Sequence, residues 1–332
     1  MLPAVETFRE RFGPIRYFLA PMAGITDMAF RILMRELGAQ VVVSELLSAE
    51  GLIRQGKRTL QMMAFSEAER PVGIQLFGAQ RASMVTAAKM VEQAGADFVD
   101  LNFGCPVKKV VSDGGGAAWL KDIVGLGQML KEVKKALSIP LSIKIRTGWD
   151  AQSLNALQVV QMAGREGASW VAIHGRTRAQ GYCGQADWDL IKRTTEASSL
   201  PIVGNGDLVS AQEVQKKLEG NYCHAVMIGR GALKNPWIFR ECLGHPVSNK
   251  NIIHLILRHF ELATSIDGRR ALMALKKFMG WYAVGLPNAS GFRARIFQTS
   301  DTDTLKSIAV EYFDSADFRD RLESPFLMGG QG

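Results

Sequence analysis

Eight short apolar, β-branched stretches recur along this 332-residue chain, most of them separated by enough sequence for a helix. They are RYFLAPMAG (16–24), VVVSELLS (41–48), PVGIQLFG (71–78), FVDLNFGC (98–105), LSIKIRTG (141–148), WVAIHGRT (170–177), PIVGNGD (201–207) and AVMIGRG (225–231). Near-continuous apolar runs suit strands buried on both faces, as in parallel sheets. Intervening segments such as SMVTAAKMVEQAGA (83–96) and IVGLGQMLKEVKKALS (123–138) have the spacing of amphipathic helices, and several end in Gly, as helix C-termini prefer. A β-α unit repeated eight times over about 230 residues predicts a TIM (β/α)8 barrel. A doubly wound sheet is the alternative, but no G-x-G-x-x-G follows the first strand.

The strand pattern stops after Pro236-Trp237. Segments 251–266, 269–284 and 303–323 have helical periodicity, which divides the chain into a barrel (1–244) and a smaller all-α domain (245–332). With 47% hydrophobic and 22% charged residues, the composition is that of a soluble globular protein with a large core. No run of about 20 apolar residues is present, so no membrane span is expected. The charged N-terminus does not read as a signal peptide, so a cytoplasmic protein is expected; oligomeric state is open, with a monomer as the default. Cys105, Cys183, Cys223 and Cys242 form no C-x-x-C pair and are expected to be free thiols with no metal site. Residues 250–300 carry eight basic side chains (Lys250, Arg258, Arg269, Arg270, Lys276, Lys277, Arg293, Arg295) against Glu261 and Asp267. The following residues, 301–332, have seven acidic against three basic. Such asymmetry points to a polyanion-facing surface, or to a solvated helix face.

Chemistry-bearing residues cluster at the ends of the strands. Gln75 ends the third, Asn102 and Cys105 the fourth, Lys144 and Arg146 the fifth, His174 and Arg176 the sixth, Asn205-Gly206-Asp207 the seventh and Gly229-Arg230 the eighth. One such residue could merely cap a barrel. Six consecutive strands ending this way predict an active site on the C-terminal face, where TIM barrels hold theirs. The glycine turns GNGD and IGRG fall where such barrels commonly bind phosphate, with Arg230 adding a charge-assisted contact. A phosphate there leaves the rest of a cofactor across the barrel mouth, with Lys144 facing its ring end. A cation in that place stabilises the anionic form of a reduced flavin. Gln75 and Asn102 offer donors and acceptors to the ring's polar edge, and Pro21, Met22 and Ala23 present backbone and a thioether to its face. One phosphate site, with none for an adenosine half, points to FMN. Cys105 then stands beside a hydride donor, where a protonated thiol can act as a general acid; its alternative is a small buried hydrophobe.

The chain resembles the tRNA-dihydrouridine synthase family, most closely the bacterial B type. The resemblance covers nearly the whole length and rests on APMAGITDMAFR (20–31), VSELLS (43–48), IQLFG (74–78), DLNFGCPVKKV (100–110), IKIRTGW (143–149), IHGRTRAQGYCG (173–184), GNGD (204–207) and MIGRGALKNPWIF (227–239). KKFMGWYAVGLPNASGFRARIF (276–297) is similar, more loosely, to the family's helical tRNA-binding domain. The resemblance implies FMN on Pro21, Met22, Ala23, Gln75, Lys144 and His174, with its phosphate on Asn205, Gly206, Asp207, Gly229 and Arg230. It implies NADPH as reductant, a tRNA uridine as substrate, hydride transfer to uracil C6 and a proton from Cys105 to C5. Asn102, His174 and Arg178 match positions near the uracil, and Lys277 and Arg293 fall in the segment expected to meet tRNA. The chain departs from the family pattern at Trp119, where a smaller apolar residue is usual, and at Phe278, where a His often follows the lysine. Two other readings share some of these features: a flavin barrel acting on a free small molecule, as dihydroorotate dehydrogenases do, and an RNA-binding protein with a relict barrel.

Overall fold

The computed structural model describes residues 14–245, 247 and 252–315. Eight parallel strands, β1 (Tyr17–Leu19), β2 (Val41–Ser48), β3 (Val72–Phe77), β4 (Phe98–Phe103), β5 (Leu141–Arg146), β6 (Trp170–His174), β7 (Ile202–Asn205) and β8 (Ala225–Ile228), close into a barrel in sequence order. Each falls inside one of the eight stretches anticipated above. The predicted helices lie at Arg81–Gln93 and Ile123–Lys135, each ending a few residues before the expected limit. A chain turn at Gly95 (φ +84°) follows the first.

Alternation along the strands divides the interior in two. Phe18, Val41, Val43, Phe98, Trp170, Ala172, Val203, Ala225 and Met227 form a cluster separate from the main hydrophobic core between strands and helices. Trp170 anchors it, edge-on to Phe98 at 4.9 Å and tilted against Phe18 at 6.4 Å. Because side chains alternate with a period of two, the parity that places 170 and 172 in this cluster places His174 on the same face one step further on. The same counting carries Phe98 to Asp100 and Asn102 on β4. A register shift in β2 between Val43 and Leu46 accompanies contacts that tie neighbouring strands to it. Ser44 Oγ accepts from Gln75 N at 3.0 Å, and Glu45 accepts from Gly24 N in the loop after β1.

Helices Ile252–Asp267, Ala271–Tyr282, Ala289–Gln298 and Thr302–Asp314 follow the barrel. Three of them correspond to the predicted segments; the end of the segment expected over 303–323 lies outside the described residues. The helix Ala289–Gln298 was not anticipated, because only Phe292 and Ile296 on it are buried, too few to give a period. These helices share the barrel's main core. Phe30, on the helix Met28–Glu36, stacks on Phe278 at 5.0 Å, and Arg258 pairs with Glu36 at 2.6 Å. Phe278 is therefore a packing residue at this junction. Trp119, the other departure, donates from Nε1 to Gly78 O at 2.9 Å and meets Phe103 edge-on at 6.2 Å.

Gly73 on β3 is a position where close packing limits side-chain size. A Cβ there would lie 2.1 Å from Cε2 of Phe98, a ring that itself packs on Trp170. Gly73→Ala is expected to lower stability by about 1–3 kcal/mol, the usual cost of overpacking a core, measured by urea unfolding. An unchanged midpoint would contradict this packing.

Candidate active site at the mouth of the barrel

The C-terminal ends of the strands bring the predicted residues together in register. Asn102 pairs with Lys144 across β4 and β5, and His174 with Arg146 on one side and Asn205 on the other. At the centre of one half is Asp100, fully buried, accepting from Ser142 Oγ at 2.5 Å and Gln75 Nε2 at 2.6 Å. Burial pushes its carboxyl above the ordinary range. Gln75 Oε1 in turn accepts from Asn102 Nδ2 at 2.8 Å. Asn102 is thereby oriented so that its Oδ1 accepts from the backbone of Cys105 at 2.8 Å and of Gly104 at 3.2 Å. A chain of buried hydrogen bonds thus runs from Ser142 to the cysteine backbone.

Cys105 is held from its other side as well. Its carbonyl accepts from Ala117 N at 3.1 Å, an approach that Gly116 permits: at φ +56° a Cβ there would lie 2.8 Å from that carbonyl. Arg146, buried, donates to Gly104 O at 2.8 Å and to Thr177 O and Gly181 O at 2.8 and 2.7 Å, tying the cysteine loop to the loop after β6. Burial raises the Cys105 thiol above its ordinary value, opposed by the Val107 backbone amide and then by Arg146 and Lys144. The side chain is therefore a thiol at neutral pH and can donate a proton. Cys223 and Cys242 are buried, and Cys183 is exposed.

The other half of the mouth is cationic. Lys144 Nζ donates to Asn205 Oδ1 at 3.1 Å, and Asn205 Nδ2 donates to Met227 O at 2.7 Å. Burial and Arg146 lower Lys144 to about 8. Arg176 grips Asp207 with two bonds at 2.7 and 2.9 Å, and Asp207 also accepts from Ala186 N at 2.7 Å. The Asp207 carboxylate is thus spent within the loops, which leaves the backbone of the turn to face a ligand. Gly206 there has φ +130°, and a Cβ would lie 2.6 Å from Ala186 Cβ and 3.1 Å from His174 Cδ2. Arg230, after Gly229, comes no nearer than 3.9 Å to Asp207 and lies over the Tyr182 ring at 4.6 Å. His174 is buried and held well below its ordinary value, first by burial and then by Arg146, Lys144, Arg176 and Arg230. It is neutral at physiological pH.

Four cations therefore act on His174; Asp207 pairs with only two of them, Arg176 at 2.7 Å and Arg230 at 3.9 Å, and buried Asp100 acts on Lys144. Positive charge held in a half-buried mouth next to two glycine turns is a donor set for a phosphate. The residues present fit FMN on that ground. Met22 closes part of the cradle: a Cβ on Gly229 would lie 3.4 Å from its Sδ. Pro21 and Met22 are half-buried, and Ala23 is exposed. The Gln75 amide is engaged on both ends by Asp100 and Asn102, so only its second N–H and second lone pair remain for a ligand.

Arg178 lies over the Trp149 ring at 4.5 Å. Lys277 is exposed, but its Nζ comes within 3.6 Å of where a Cβ on Gly24 would stand, at the barrel rim. Arg293 packs along Gly280 on the neighbouring helix. Other basic residues of that segment serve the fold: Lys276 is buried and caps Phe297 O at 3.2 Å and Thr299 O, and Arg295 pairs with Glu311 at 2.9 Å. Sequence reasoning missed the supporting roles of Asp100, Ser142, Arg146 and Arg176, and missed Tyr182, an exposed ring at the mouth over which Arg146 and Arg230 lie. The strand-end positions of Arg146 and Arg176 were the available signal; their partners, distant in sequence, gave none.

The raised thiol carries a testable consequence. Iodoacetamide at neutral pH is expected to label exposed Cys183 faster than Cys105, read by peptide mass spectrometry over time. Faster labelling of Cys105 would show a thiolate there and contradict the assignment.

Comparison with known proteins places this mouth in context. The family model of dihydrouridine synthase (Dus) matches residues 18–317. The tRNA-dihydrouridine synthase B of Pseudomonas aeruginosa is 34% identical over 309 residues, which cover 90% of this chain and 93% of that protein. The tRNA-dihydrouridine synthase B of Xanthomonas axonopodis pv. citri is 33% identical over 310 residues, covering 90% and 93%. Among solved structures, histamine dehydrogenase from Rhizobium sp. 4-9 aligns with a TM-score of 0.54 at 14% identity, over 74% of this chain and 49% of that one. An amine oxidase from Pseudomonas geniculata N1 aligns at 0.55 and 16% identity, over 74% and 50%. This chain thus spans about half of either structural neighbour, and the likeness to them is one of fold.

Proposed function

The chain belongs to the dihydrouridine synthase family, and from that premise we propose that it reduces a specific uridine in the D-loop of tRNA to 5,6-dihydrouridine, using FMN recharged by NADPH. The observation that carries the reading is Cys105, clamped on both sides of its backbone and set beside an under-balanced group of cations at the barrel mouth. FMN would be held by Pro21, Met22, Ala23, Gln75, Lys144 and His174, and its phosphate by Asn205, Arg230 and the backbone of Gly206, Asp207 and Gly229. A flavin bound there would supply, from its N5, the hydride that uracil C6 receives.

The chain's own residues do the rest. Cys105 donates its proton to C5, completing the addition of two hydrogens across the double bond. Arg146 and Lys144, which already oppose the rise in the thiol's pKa, stabilise the thiolate left behind. The Asn102 and Arg146 contacts fix the loop, so the donor needs little reorganisation at the moment of transfer. Neutral His174 can hydrogen-bond a carbonyl without placing a charge on it. Asn102 and Arg178 would meet the uracil, which must leave its stack to reach this depth.

Residues 245–332 would form a tRNA-binding domain, in which Lys277 and Arg293 hold the phosphate backbone with a salt-sensitive affinity. No carboxylate pairs with either among the described residues. Lys108 and Lys109 would add to this surface, as would exposed Arg54, Lys57 and Arg58 after β2. Among the described residues no helix is long and apolar enough to cross a membrane; we place the enzyme in the cytoplasm as a monomer.

Two variants test the assignment. Cys105→Ala is expected to retain flavin and its reduction by NADPH while losing about 10²–10⁴-fold in dihydrouridine formation, the usual worth of a general acid. Wild-type turnover in that variant would remove the acid role. Lys144→Ala is expected to lose flavin on purification or to slow its reduction, followed by absorbance and stopped flow. An unchanged flavin spectrum together with an unchanged reduction rate would contradict the placement of Lys144.

A further inference from the structure

Three loops of the barrel mouth meet at Trp149, a half-buried residue just past β5. Beyond the sheet, the chain after β5 stays zipped to the chain after β6: Thr147 N donates to Arg176 O at 3.3 Å, Arg178 N to Gly148 O at 2.9 Å and Ala179 N to Trp149 O at 2.9 Å. From the other side, Asn155 N donates to Thr147 O at 3.0 Å, and Asn155 Nδ2 reaches Leu120 O at 2.6 Å. This brings the end of the loop after β4 alongside. Two cations then lie over the Trp149 ring, Lys121 Nζ at 3.6 Å and the Arg178 guanidinium carbon at 4.5 Å.

Among the described residues, the Arg178 guanidinium is held by its contact with the Trp149 ring. No ion pair engages it among the described residues, and its Nε is buried without a hydrogen-bond partner. An unmet buried donor on a charged group is costly unless a ligand supplies the acceptor. A stacked guanidinium keeps its in-plane donors free, because the ring contacts only its face. The indole therefore fixes where Arg178 lies while leaving its N–H groups unspent.

We propose that Trp149 is a positioning residue for the reaction. Its ring holds the Arg178 guanidinium at the barrel mouth, where the free donors meet an oxygen of the entering uridine nucleotide. This rests on the functional reading above and adds to it a residue that need not touch substrate.

The test is a cycle of Trp149→Leu, Trp149→Phe, Arg178→Ala and the double variant Trp149→Leu/Arg178→Ala. Each is measured for kcat/KM on unmodified tRNA, Kd for fluorescently labelled tRNA, flavin content and the rate of flavin reduction by NADPH. Trp149→Leu is expected to lose about tenfold or more in kcat/KM, since small misplacements of a positioned group are costly. Flavin content and reduction should stay at wild-type values, and Trp149→Phe should recover most of the loss. In the Arg178→Ala background, Trp149→Leu should add little, because the two act as one unit. The salt dependence of Kd identifies the oxygen: a flatter slope in Trp149→Leu marks a phosphate, and an unchanged slope marks the base. Wild-type behaviour of Trp149→Leu, an equal loss in the presence and absence of Arg178, or a parallel loss of flavin would each overturn the proposal. A silent Arg178→Ala would overturn it too, while leaving dihydrouridine formation by the wild-type chain untouched. Absence of that product in the wild type would instead be a failure of the functional reading, and the Kd cycle, which needs no turnover, would still judge Trp149.

Discussion

Closure of eight parallel strands into one barrel leaves each strand side chain two directions, inward or outward. Everything at the mouth depends on which parity faces in. Trp170, packed against Phe98 and Phe18, marks that parity. Its consequence two and four residues later is Ala172 and then His174; on β4 the same count from Phe98 leads to Asp100 and Asn102. A slip of one residue would turn apolar anchors and site residues outward together. Stability and the site are thus two readouts of a single register.

Electrostatics then separates the mouth into two functions. Around Asp100 a closed set of hydrogen bonds fixes geometry, with Gln75 and Asn102 relaying its orientation to the Cys105 backbone. Around His174, by contrast, Lys144, Arg146, Arg176 and Arg230 exceed the carboxylate available to them. A folded chain gains nothing from such surplus charge, and we propose that it is held for a ligand. The thiol lies within reach of both regions: burial keeps its proton on, and the cations make the conjugate thiolate accessible when that proton leaves.

Much of this was legible in the chain because a period of two and a repeating β-α unit are local properties. All eight strands, the strand-end placement of Cys105, Lys144 and His174, and the glycine turns could be read that way. What could not be read depends on pairings between distant residues. Asp207 reads as a phosphate contact but commits its carboxylate to Arg176, 31 residues away. Arg146 reads as one more strand-end cation, yet it braces Gly104, 42 residues away, and two carbonyls of the next loop. Lys276 and Arg295 counted toward a polyanion surface but are used within the helical segment. Net charge by segment cannot distinguish a solvent-facing lysine from one that caps a helix, whereas Lys277, one residue on, reaches the barrel rim.

The central claim is that this mouth adds two hydrogens across the double bond of a uracil held in RNA. Its most direct test is mass spectrometry of nuclease fragments of unmodified tRNA after incubation with the protein, FMN and NADPH. The account predicts a gain of the mass of two hydrogens at a D-loop uridine. Unchanged tRNA, with the reduced flavin instead oxidised by a free pyrimidine, would contradict it and favour a small-molecule flavin barrel.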